Sequence, residues 1–118
     1  NGDGALDIVV GVNDAPVQVF EQRPLAANRI VTVRLVGRGG NPTAVGSRVT
    51  VQLDDGSRQT AEVHAGAGYL SQSSPMLAFG APQGYRVTKV DVAWPDGSRS
   101  SMTPRPDETF LRIEQQVK

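Results

Sequence analysis

Along most of this chain apolar and polar residues alternate with a period of two, the spacing of strands that bury one face. Val31, Val33 and Leu35 alternate with Thr32 and Arg34, Val49, Val51 and Leu53 with Thr50 and Gln52, and Val90, Val92 and Trp94 with Lys89 and Asp91. Leu111 and Ile113 alternate with Phe110, Arg112 and Glu114 in a last strand. Arg58 to His64 returns from the turn Asp54-Asp55-Gly56-Ser57, and Arg99 to Thr103 returns from Pro95-Asp96-Gly97-Ser98. In both turns Asp-Gly favours the positive φ that hairpin loops require. Near the start, Ile8-Val9-Val10 and Val17 to Gln22 flank the turn signal Asn13-Asp14-Ala15-Pro16 and predict a hairpin, followed by a linker over Arg23 to Asn28. Gly37-Arg38-Gly39-Gly40 reads as a flexible hairpin loop, and the serine-rich stretch from Tyr69 to Phe79 predicts a short strand near each end. These elements predict an all-β fold, an antiparallel β-sandwich or partly open barrel preceded by an N-terminal β-hairpin.

Composition supports that reading and removes several function classes. The chain has 118 residues, the size of one domain with a core of its own, and its 13 glycines and 8 prolines suit short strands joined by many turns. Twelve basic residues balance twelve acidic ones, so no global field recruits nucleic acid or an anionic membrane. There is no cysteine, which excludes disulfide scaffolds, thiolate metal sites and cysteine nucleophiles. No apolar run approaches the roughly 18 residues that span a bilayer, so membrane insertion is not expected.

Candidate chemistry is sparse. His64 is the only histidine, which rules out a histidine metal cluster. A Ser-His-Asp arrangement drawn from Ser71, Ser73, Ser74, His64 and Asp54 or Asp55 lacks a nucleophile elbow, so an enzyme is not expected. Gly37 to Gly40 is followed by neither a helix nor a lysine and is not a phosphate cradle. Trp94 lies in phase with Val90 and Val92, which makes it a core residue rather than a sugar platform. Tyr69, Ser71 and Gln72, with Asn41 and Thr43 in the Gly39 to Thr43 loop, form the candidate ligand surface.

Four blocks in order carry a likeness to a known family: Asn28 with the strand Ile30 to Gly37, Asn41-Pro42-Thr43-Ala44-Val45-Gly46-Ser47-Arg48-Val49, Gly66-Ala67-Gly68-Tyr69-Leu70-Ser71-Gln72, and Val90 to Gly97 ending in Trp-Pro-Asp-Gly. Together they resemble the ASPIC/UnbV domain over about residues 28 to 114. One departure stands at Phe79-Gly80-Ala81-Pro82, where the family more often has Phe-Gly-Leu-Gly, and a differently shaped loop after Phe79 is expected. Upstream, Asn1 to Val10 resembles the end of an FG-GAP or VCBS propeller repeat, whose acidic loop reads Asp-x-Asn-Gly-Asp-Gly-x-x-Asp. The division implied is a repeat end with linker over 1–27 and the ASPIC/UnbV-like domain over 28–118, the whole being an excised piece of a larger protein.

The same resemblance implies a calcium site, with Asn1, Asp3 and Asp7 at the third, fifth and ninth loop positions and the Ala5 carbonyl at the seventh. Calcium takes six to eight oxygens, so this partial set, whose first aspartate would precede Asn1, is expected to bind weakly by itself. The function expected is that of a non-catalytic binding or structural module in an extracellular or cell-envelope protein, with protein or carbohydrate as partner. That module is expected to pack against or follow a propeller; the alternatives are an accessory domain of a secreted enzyme and a subunit that self-assembles when open strand edges or the hairpin Leu6 to Gln22 pair with a neighbouring copy.

Overall fold

The computed structural model describes residues 5–23 and 28–116. Nine strands form three sheets among these residues. β1 (Ile8–Val10) and β2 (Gln18–Phe20) make the N-terminal hairpin, with Ile8 opposite Phe20 and Val9 opposite Val19. β3 (Arg29–Val36) is the centre of a three-stranded sheet between β6 (Leu77–Ala81) and β9 (Phe110–Glu114). β4 (Arg48–Leu53), β5 (Arg58–Glu62), β7 (Val87–Ala93) and β8 (Arg99–Met102) form a four-stranded sheet in the order β5-β4-β7-β8. The fold is therefore all-β and takes the form of an open β-sandwich.

The alternating positions meet in one core. Val31, Val33, Leu35, Phe79, Leu111 and Ile113 from the first sheet face Val49, Val51, Val90, Val92 and Trp94 from the second, all buried, as is Val63 just beyond β5. Each fully buried Val, Leu, Ile or Phe contributes about 1.5–3 kcal/mol, so these faces dominate the stability of the sandwich. On one flank Gln59 ties the sheets together. Its amide donates to the Gly80 carbonyl at 2.6 Å and accepts from the Gly80 N–H at 3.2 Å, bridging the edge of β5 to the edge of β6.

Both predicted turns form, with the positive φ expected of their Asp-Gly steps. The left-handed angle falls on glycine alone, φ 83° at Gly56 and 82° at Gly97. The preceding aspartate in each turn accepts the N–H two residues ahead: Ser57 to Asp55 at 2.8 Å and Ser98 to Asp96 at 2.9 Å. This is a three-residue loop in which glycine makes the bulge, not a two-residue mirror-image turn.

Other expectations need correction. The glycine-rich segment after β3 is not a hairpin loop, since β3 and β4 lie in different sheets and residues 37–47 carry the chain from one to the other. Nor is it loose at Gly37, where a Cβ would collide with the Asn41 carbonyl oxygen. No strand forms near Tyr69; Gly66 at φ 65° and Leu70 at φ 53° turn the chain out of the extended region. Phe79 to Ala81 complete β6 and bury Phe79 and Ala81, so the loop expected after Phe79 starts only at Pro82 and runs to Arg86. Finally, β9 pairs with β3 in parallel, with Leu111 beside Val33 and Ile113 beside Leu35, although every other pairing is antiparallel.

Candidate functional site

The longest connection between strands, residues 63–76, joins β5 in one sheet to β6 in the other. Connections of this length without secondary structure are uncommon in compact domains and frequently carry function. Its base is anchored: Val63 is buried, its N–H donates to the Ser47 carbonyl at 3.0 Å, and its carbonyl accepts from Gly46 at 2.8 Å. Beyond that anchor the loop tightens, with Gly68 N–H donating to the Gly66 carbonyl at 2.9 Å. A Cβ at Gly68 would meet the Ser71 hydroxyl, which would have to rotate away.

At the tip, Tyr69 is 93% and Leu70 92% exposed, the two most exposed large apolar side chains among the described residues. Leu70 sits at φ 53°. A branched side chain in the left-handed region costs about 1–2 kcal/mol, and no burial of Leu70 offsets that cost. Ser71 and Gln72 are exposed beside them.

The second predicted part of the ligand surface behaves differently. Asn41 uses its side-chain amide internally, donating to the Val45 carbonyl and accepting the Val45 N–H, both at 2.9 Å. That bracket, with the Ala44 N–H donating to the Asn41 carbonyl at 3.1 Å, folds the crossover so that Ala44 is buried at φ 56°. Asn41 thus shapes the loop, and Thr43 is the exposed residue beside it. Among the described residues no hydrogen bond or ion pair joins the 39–43 loop to the 66–72 loop.

The remaining candidates have structural surroundings. Trp94 is 4% exposed and its indole N–H donates to the Ser100 hydroxyl at 2.8 Å. His64 is exposed, with Nδ1 3.9 Å from Glu62 Oε1, and no hydrogen bond joins it to a serine among the described residues. Of the calcium candidates, Asn1 and Asp3 lie outside the described residues. Asp7 Oδ1 accepts the Gln22 N–H at 3.0 Å, closing the open end of the β1–β2 hairpin. Among the described residues no group of three or more His, Cys, Asp or Glu could hold a metal ion, and no helix is long and apolar enough to cross a membrane.

One surface has no counterpart in the sequence reading: the outward face of the four-stranded sheet, where Arg48, Arg58, Lys89 and Arg99 surround an open trough of about 580 Å³. These residues are far apart in sequence, and only strand register assembles them.

Among the curated proteins none matches the chain. The family model described as ASPIC and UnbV matches residues 37–118, which takes in β4 to β9, both Asp-Gly turns and the exposed tip. The folded unit extends further toward the N-terminus than the match, since β3 is the centre of its sheet. On the strength of that match the chain belongs to the ASPIC and UnbV family.

Proposed function

We propose that the chain is a non-catalytic recognition module of an extracellular or cell-envelope protein, and that it meets a protein partner through the tip at residues 66–72. The observation carrying this is Tyr69 and Leu70, 93% and 92% exposed, with Leu70 in a left-handed conformation that its own burial does not offset. Backbone strain held at an exposed apolar tip on a rigid scaffold is the pattern of a contact made elsewhere. A tyrosine beside a leucine suits a pocket on a protein better than the face of a neutral sugar, because tyrosine anchors protein interfaces and leucine has no ring to stack on a sugar. Selection of displayed peptides on the whole domain tests this. Peptides recovered on the parent are expected to lose binding to a Tyr69→Ser/Leu70→Ser variant whose denaturation midpoint is at least as high. Peptides that bind both proteins equally would place the recognition surface elsewhere.

A second reading concerns residues 1–27, taken as the end of an FG-GAP or VCBS-type repeat. Leu6, Ile8, Val9, Val19 and Phe20 are all exposed, and because successive strand residues point to opposite sides, both faces of the hairpin are apolar. A hairpin of a lone sheet shows one apolar face; two call for cover on both sides, as a blade between neighbouring blades receives. On this reading Asn1, Asp3, the Ala5 carbonyl and Asp7 contribute to a calcium loop completed by an aspartate ahead of Asn1. Calorimetry is expected to show tighter calcium binding in a chain extended by that residue, and equal affinity with and without it would refute the assignment.

A further inference from the structure

We propose that the outward face of the four-stranded sheet binds an acidic polysaccharide carrying uronic-acid carboxylates, at a surface independent of the exposed tip. Register sets the geometry. Across β5, β4, β7 and β8 one row reads Glu62, Arg48, Ala93, Arg99, and the next outward-facing row reads Thr60, Thr50, Asp91, Ser101. A third reads Arg58, Gln52, Lys89. With strands about 4.8 Å apart and about 3.3 Å per residue, Arg48 and Arg99 stand about 10 Å apart, as do Arg58 and Lys89, and the two pairs are separated by about 13 Å along the strands.

Four cations thus mark the corners of a parallelogram whose middle is low and hydroxyl-rich. Thr50 and Thr60 share a hydrogen bond at 3.0 Å, and Ser101 lies beside Asp91 on the next strand. Two of the cations have partners: Lys89 with Asp91 at 2.9 Å and Arg48, more loosely, with Glu62 at 3.6 Å. Among the described residues no carboxylate lies within ion-pair distance of Arg58 or Arg99. On a protein with balanced charge, this face holds four cations against two anions, and the guanidiniums of Arg99 and of Arg58, which acts on Asp91 only from beyond ion-pair distance, offer the planar fork that takes a carboxylate bidentately.

Charge and chemistry together select the occupant. Asp91, in the middle of the trough, is held below the usual carboxylate range by its hydrogen bond to Lys89 and then by that to Ser101, so it stays ionised at neutral and mildly acidic pH. A fixed anion there repels a uniformly dense polyanion but accepts hydrogen bonds from sugar hydroxyls. Among the outward-facing residues of these rows there is no aromatic, so single-stranded nucleic acid finds no base-stacking platform. A linear sugar chain with carboxylates at its margins and hydroxyls toward the floor satisfies both the Arg58 and Arg99 corners and the Thr50, Asp91 and Ser101 centre.

Isothermal titration of the whole chain with an oligogalacturonate hexamer tests the proposal, with cellohexaose and a single-stranded oligonucleotide of equal charge as comparisons. The hexamer is expected to bind with an affinity that falls as salt rises, and cellohexaose is expected not to bind. Arg58→Gln/Arg99→Gln should weaken the hexamer at least tenfold with the denaturation midpoint unchanged, whereas Tyr69→Ser/Leu70→Ser should leave it unaltered. No binding by the hexamer, an undiminished affinity in the double arginine variant, or equally tight binding of the oligonucleotide would each overturn the assignment. The tip variant separates this outcome from failure of the peptide-binding reading.

Discussion

Replacing Trp94 tests the core and the turn that follows it together. The indole is 4% exposed, and a buried aromatic side chain of this size removes about 150–250 Å² from water, which at about 25 cal/mol per Å² corresponds to about 4–6 kcal/mol. Partial relaxation of the cavity brings Trp94→Ala to about 3–5 kcal/mol, a large share of the roughly 5–15 kcal/mol that stabilises a typical domain. Trp94→Phe keeps most of the apolar contact and loses the 2.8 Å hydrogen bond to the Ser100 hydroxyl, and Ser100→Ala removes the other partner. Each of these milder changes is expected to cost about 1–2 kcal/mol, and the double variant should cost about 1 kcal/mol less than their sum, because the bond can be lost only once. Urea denaturation followed by far-UV circular dichroism reads all four proteins, with the slope held constant as the check on two-state behaviour. A Trp94→Ala domain destabilised by less than about 1 kcal/mol would contradict the core assignment, and strictly additive single variants would remove the hydrogen bond from the account.

Ser47 is fully buried, and its hydroxyl has no hydrogen-bond partner. Ser47→Ala should therefore raise stability by about 1 kcal/mol, and a fall in the denaturation midpoint would show that the hydroxyl is satisfied after all. Gly56→Val and Gly97→Val, at φ 83° and 82° in open space, should each cost about 1–2 kcal/mol through backbone strain alone. Gly37→Ala should cost more than either, because its Cβ would meet backbone that cannot yield, and melting of the three variants side by side gives the order.

Most of the core was readable because alternation survives in the strands that face each other. Val31, Val33 and Leu35, Val49, Val51 and Leu53, and Leu111 and Ile113 are buried as their period of two requires. Partnership between strands was less accessible. Nothing local in Phe110 to Glu114 states that it lies parallel to β3, since parallel pairing is decided by how the crossovers pack the two sheets. The glycine-rich segment after β3 misled for the same reason: glycine permits a tight return and a crossover equally, and the Asn41 bracket that decides between them spans only four residues of otherwise ordinary loop sequence. Tyr69 stands out in the sequence as an aromatic in a glycine-rich block, but its exposure at the tip of the 63–76 connection could not be read from composition. The basic face gave no signal, because Arg48 and Arg99, or Arg58 and Lys89, become neighbours only through the register of three strand pairs.

The treatment of strand edges bears on whether this chain assembles with itself. Unpaired edges invite association unless they are covered, charged or short. In the sandwich the β5 and β6 edges are bound to each other through Gln59, β8 is only four residues long and begins at Arg99, and β9 carries Arg112 paired with Glu114 at 2.8 Å. Each edge therefore has its own protection. The hairpin has shortness alone: β1 and β2 are three residues each, but they are apolar on both faces and have no charge within their paired segments. A two-stranded ribbon of that kind is marginal in water by itself. Association of this chain, with a neighbouring domain or a second copy, should accordingly depend on Ile8, Val9, Val19 and Phe20. Ile8→Lys/Val19→Lys is expected to abolish any concentration-dependent sedimentation while leaving the thermal unfolding of the sandwich unchanged. Association that persists in that variant would assign the contact to a protected edge and reverse the argument.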